Sequence, residues 1–194
     1  MKNKTYRRFS AFIIDIMVLG LFLMMIYYFV PENKKIKSIN ENIVTINEQF
    51  ANNEIGKKDY LIKYSENIYQ LDKDRSNYTA FNILIIIIYF VIVPIISKGK
   101  TLGLYILNLK IDGKLTIKSM FIRNLIATGL LYSLLSLILV YIFKDLTYFI
   151  LITIFGLIQF ILLVISSIMI IRNSKGLQDI LSKTKIITNK EVKE

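Results

Sequence analysis

The chain has 194 residues, 54% of them hydrophobic, with 25 Lys or Arg against 14 Asp or Glu and a formal net charge of +11. It contains no Cys, no His and no Trp, which excludes a disulfide framework, a thiolate metal site and the side chain most used as zinc ligand and general base. An apolar share above the ~45–50% of soluble domains, gathered into blocks, points to lipid as the solvent and to an all-α membrane protein.

The amino-terminal tail carries Lys2, Lys4, Arg7 and Arg8 ahead of the first apolar block, 9–30. A cleaved signal peptide is the competing reading, but no small-x-small cleavage site follows and the run ends at "YYFVPEN". Two arginines at the lip of a span act as topology anchors far more often than as a twin-arginine export signal. Further blocks at 79–97, 124–143 and 147–171 are each long enough, at about 1.5 Å per residue, to cross a hydrocarbon core of about 30 Å. The expectation is therefore four transmembrane helices.

Between the first two spans, Ile36, Ile39, Ile43, Ile46 and Phe50 recur at three- and four-residue steps. Tyr60/Leu61, Tyr64, Ile68 and Leu71 do so again after a break near Gly56. This predicts an antiparallel helical hairpin over 34–74. The connection at 98–123 is shorter and more basic. Leu102, Leu104, Tyr105, Ile106, Leu107 and Leu109 with flanking lysines suit a strand or an interfacial helix, and Asp112-Gly113 between "LNLKI" and "LTIKS" signals a β-hairpin. A helix near 101–107 followed by a small hairpin is the expected division. In the tail, 172–194, Gly176 ends the fourth span, and Leu177, Ile180 and Leu181 fall on one helical face that would dock under the bundle.

Positive charge is uneven. Lys98, Lys100, Lys110, Lys114, Lys118 and Arg123 lie in the 98–123 connection and six more basic residues in the tail, whereas acids balance bases in 31–78. By the positive-inside rule the termini and 98–123 face the cytoplasm and the hairpin is extracytoplasmic. The net charge then suits anionic lipid headgroups, and no nucleic acid is expected as a partner.

Two ionisable residues fall at membrane depth, Asp15 and Arg123. A charge there costs about 2.5–3.5 kcal/mol on insertion scales and is usually turned inward and paired. Asp15 lies near 10 Å beyond Arg8 and leans back toward the inner face. An Asp15–Arg123 pair is therefore expected, leaving Arg8 or Arg7 for Asp179 or phosphate. Thr128, Ser166 and Ser167, with Gln159 deeper, would line a shallow cavity with Asp15 at its base. Asp15 then either carries a proton or small cation, or serves as half of a fixed ion pair that clamps two helices. No Gly-rich phosphate loop, metal cluster or nucleophile–base pair is visible, and "GKT" at 99–101 lacks P-loop spacing, so no enzyme, cofactor or metal is expected.

Taken together, "RRFSAFIID", "GKTLG", the Asp-Gly turn, "IRN" and "GLQDILSKTKII" resemble the RDD family of small bacterial membrane proteins. The resemblance covers most of the chain except the 31–78 hairpin and implies one membrane domain over 1–194 in the bacterial cytoplasmic membrane. It maps the family's arginine to Arg8 and its aspartates to Asp15 and Asp179. Leu104 and Gln178 depart from it, standing where a basic residue and a histidine are common. The family is suspected of transport, with some members resembling sodium/proton antiporters, which implies proton or cation exchange at Asp15, through a homo-oligomer since four spans are few. The alternative is a non-transporting accessory, stress or immunity-like protein whose outer hairpin meets an extracytoplasmic protein partner.

Overall fold

A computed structural model describes residues 2–30 and 33–188. Its elements in order are α1 (Lys2–Tyr28), α2 (Lys34–Ala51), α3 (Lys57–Asp74), α4 (Ser76–Ile87), a π-helical turn (Ile88–Ile92), α5 (Val93–Ile96), α6 (Leu102–Ile106), β1 (Leu109–Gly113), α7 (Ile117–Ala127), α8 (Leu130–Ile142), α9 (Asp145–Asn173), α10 (Leu177–Leu181) and β2 (Thr184–Thr188). Three stretches are long and apolar enough to cross a membrane, namely Thr5–Tyr28, Ser76–Ile96 and Asp145–Asn173.

The third expected span differs. α7 and α8 are bent by 85° at their junction, so they qualify as a crossing only as a broken pair. Gly129 there takes φ +73, a left-handed conformation that ends α7, while the Thr128 hydroxyl folds back to donate to the Asn124 carbonyl at 2.8 Å. With 13 residues, α8 alone would extend only about 20 Å.

The chain divides into two compact units. One comprises 30–81 and 132–157, and its centre is the expected helical hairpin. Ile39 and Ile46 of α2 and Leu71 of α3 are buried, as the apolar stripes require. Its antiparallel sense is marked at both ends. Phe50 stacks on Tyr60 at 4.3 Å and the Tyr60 hydroxyl donates to Asn47 near the tip, while Lys35 pairs with Asp74 at 2.8 Å at the base. Asn33 caps α2 by accepting from the Lys35 N–H. In the same unit Tyr69, Leu139, Val140, Tyr148 and Ile152 form an apolar cluster, and the Tyr148 hydroxyl donates to Asp72 at 2.7 Å.

The other unit comprises 1–29, 82–131 and 158–194, and its core joins Ala11, Val91, Leu104, Leu109, Ile111, Met120 and Ile186. Here the expected hairpin at Asp112-Gly113 is corrected. β1 pairs antiparallel with β2 of the tail, Leu109 opposite Thr188 and Gly113 opposite Thr184. The residues after the Asp-Gly turn are claimed by α7 instead, because the Thr116 hydroxyl caps it by accepting from the Ser119 N–H and its buried Met120, Arg123 and Asn124 follow a helical period. The protein is thus mostly helical with a small two-stranded sheet.

Pro94 explains the π turn's partner. It brings no N–H to the preceding turn, and the Asn124 side-chain amide donates to the Phe90 carbonyl at 2.7 Å, so that this carbonyl is satisfied across helices.

Candidate functional site

Arg8 and Asp15 lie seven residues apart on α1, two turns along one helical face. Each meets a different element. Asp15, 3% exposed, receives three donors: the Tyr89 hydroxyl at 2.6 Å and the Gly103 N–H at 2.8 Å on Oδ1, and the Thr101 hydroxyl at 2.6 Å on Oδ2. Thr101 also accepts from the Leu104 N–H and so caps α6. α6 approaches α1 this closely because residue 103 is glycine. A Cβ there would overlap the Ala11 carbonyl oxygen and sit 3.0 Å from the Asp15 carboxyl carbon.

Arg8 reaches the tail. Its guanidinium donates to Asp179 Oδ2 at 2.5 Å and to the Ser174 carbonyl. Arg123 of α7 donates to the other oxygen of Asp179 and to the Thr184 hydroxyl at 2.8 Å, and the Gly176 N–H adds a further donor to Asp179. All three charged side chains are buried. Burial alone pushes the Asp179 pKa up, but the Arg123 and Arg8 guanidiniums and the Gly176 N–H outweigh it and hold the carboxyl below its ordinary value.

The structure forms the expected Arg8–Asp179 contact but not the expected Asp15–Arg123 pair. Asp15 is served by hydroxyls and an amide, and Arg123 by Asp179, because the tail brings a second carboxylate into the space that depth alone assigns to Asp15. The tail also docks by a different face. Ile180 and Leu181 are 52% exposed, whereas Gln178, Asp179 and Ser182 are buried. Polar contacts hold it: Ser166 donates to Gln178, the Leu177 N–H donates to Ser166, and Ser119 donates to the Ser182 carbonyl. Arg7 donates to the Leu107 carbonyl at the end of α6.

Of the expected cavity residues, Ser166 and Ser167 line a space of about 120 Å³ together with Arg8 and Arg123. Thr128 and Gln159 do not line it. Thr128 bonds its own helix, and the Gln159 amide donates to the Ile126 carbonyl at 2.9 Å. Asp15 lines an adjoining space of about 60 Å³, again with Arg8 and Arg123. Sequence reasoning missed Tyr89, Asn124 and Thr184. Tyr89 is one aromatic among many in an apolar block, and Thr184 reaches Arg123 only through the tail. Thr101 and Gly103 were visible within "GKTLG", without their connection to Asp15.

Among the described residues no group of three or more His, Cys, Asp or Glu is placed to hold a metal ion. No curated protein and no solved structure matches the chain significantly. The description of the RDD family does match, over residues 3–183.

Proposed function

The chain belongs to the RDD family, and from that premise we propose that it is a non-transporting integral protein of the bacterial cytoplasmic membrane, whose buried charges lock α1, α6, α7 and the tail together and whose α2–α3 hairpin docks a protein partner outside. One observation carries the reading: both oxygens of both buried carboxylates are engaged by fixed donors. A carrier carboxylate has to give up its donors to take a proton or cation, and a pair of arginines that stays charged resists that exchange.

The lock also bears on topology. Arg8 near the start of α1 meets Asp179 of the tail, so both lie on one side of the membrane and an even number of crossings separates them. Three unbroken helices are long and apolar enough to cross, and with all three crossing the bent α7–α8 pair supplies the fourth crossing that an even number requires. Both termini then face the cytoplasm, in keeping with the basic 98–123 connection.

A second reading, proton-coupled cation exchange at Asp15, draws on the small cavity that Asp15 lines. The two separate in proteoliposomes. Under the lock reading, sodium, potassium or lithium pulses move no protons in either the intact protein or Asp15→Asn, while the variant melts several degrees lower. Cation-dependent proton flux that disappears in Asp15→Asn at matched incorporation overturns it in favour of transport.

A further inference from the structure

The lock leaves one donor unused. The Arg8 side chain is 4% exposed, with one terminal nitrogen on Asp179 and the other on the Ser174 carbonyl, yet its buried Nε finds no acceptor among the described residues. An unsatisfied charged donor in a buried place is expensive and calls for a partner. Arg8 is in the wall of the 120 Å³ cavity, where Arg123, Ser166, Ser167 and Gln178 supply further polar groups and Phe12, Leu163 and Ile170 an apolar side.

The wall of this cavity carries two guanidiniums, Arg8 and Arg123, and, among the described residues, no carboxylate of its own. Asp179 lies against them outside the cavity, and Asp15 lines the adjoining space with its oxygens turned to Tyr89, Thr101 and Gly103. Its volume admits roughly four waters' worth of ligand, the size of a tetrahedral oxyanion, and falls well short of the ~300–1,000 Å³ of pockets that take whole metabolites. We propose that this cavity binds a phosphate group, either the phosphodiester of an anionic phospholipid or free inorganic phosphate. Guanidinium N–H groups match phosphate oxygens in geometry, the Ser167 hydroxyl stands in the same wall, and an anion complements a lining whose described residues include two guanidiniums and no carboxylate. The apolar side suits the start of an acyl chain.

Full-length protein in maltoside, a detergent without phosphorus, allows the test. Dihexanoyl phosphatidylglycerol and inorganic phosphate are titrated separately, with ³¹P line broadening and the melting temperature as readouts. Broadening by the lipid alone identifies a headgroup site, and broadening by inorganic phosphate identifies a free-ion site. Ser167→Leu and Ala127→Leu fill the cavity without touching the Arg8–Asp179–Arg123 contacts and abolish binding. Arg8→Lys keeps a cation facing Asp179 but removes the Nε donor, and weakens binding by about tenfold, one charge-assisted hydrogen bond. Absence of broadening with both probes, or binding that survives undiminished in the two cavity-filling variants, overturns the proposal.

Discussion

At the scale of single residues, the Arg8–Asp179–Arg123 triad and the Asp72–Tyr148 pair respond to pH in opposite senses. Asp179 is held below its ordinary pKa, so as pH falls the unfolded chain takes up the proton first. The stability it confers is whole above about pH 4 and is lost as pH drops through the lower folded value. Asp179→Asn leaves two buried guanidiniums without a carboxylate and costs roughly 3–5 kcal/mol at neutral pH. Thermal melts across a pH series should show the intact protein losing stability at the acid end and the variant already destabilised, with a flatter acid limb. Asp72 is the reverse. Burial raises its pKa, only partly offset by the Tyr148 hydroxyl and Arg75, so its share of stability is present at low pH and is lost as pH rises through the raised value. Asp72→Asn keeps an acceptor for Tyr148, and its melting temperature at pH 7–8 should equal or exceed that of the parent. Asp15 and Arg123 stand out in the sequence because charge at membrane depth must be paired, and Arg8 and Asp179 stand out through the RDD resemblance. The Arg8–Asp179 contact was within reach of the sequence, whereas the Arg123–Asp179 pair was not, since Asp179 reaches Arg123 only after α10 and β2 fold back.

Elements show the same division between local and distant determinants. The α2–α3 hairpin was readable because each helix carries its own apolar stripe and the break near Gly56 separates them. β1 was readable as an extended piece, yet its partner β2 lies in the tail, and no local pattern announces a pairing over that separation. Packing of α6 on α1 depends on one missing methyl group. Gly103→Ala should cost about 1–3 kcal/mol through the clash with the Ala11 carbonyl. Gly20→Ala is the control, since a Cβ there meets nothing within 4 Å and helix propensity favours it by about 0.5–1 kcal/mol. Melts of the two variants in the same detergent must diverge in sign. The π turn offers a coupling test as well. Asn124→Ala removes the donor to the buried Phe90 carbonyl and should cost about 1–3 kcal/mol. Pro94→Ala restores a backbone N–H to that stretch, so the Asn124→Ala penalty should shrink in the double variant, a non-additivity that independent sites would not show.

For the whole molecule, the sidedness of the chain depends on the bent α7–α8 pair. Apolar length alone made 124–143 a span, because hydropathy does not sense a left-handed residue at Gly129. A pair bent by 85° can either cross or return to the face it left. If it returned, three crossings would put the tail opposite the amino terminus, and Arg8 would have to meet Asp179 through the bilayer. Their 2.5 Å contact therefore argues for crossing. The absence of Cys makes this measurable, since any introduced cysteine is the sole thiol. Asn53→Cys, at the hairpin tip, should react with a membrane-impermeant maleimide on intact cells. Lys185→Cys, on β2, should react only after the membrane is opened. Labelling of Lys185→Cys on intact cells would place the tail outside and leave the basic 98–123 connection and the tail on opposite faces, a disposition in which β1 and β2 could not pair.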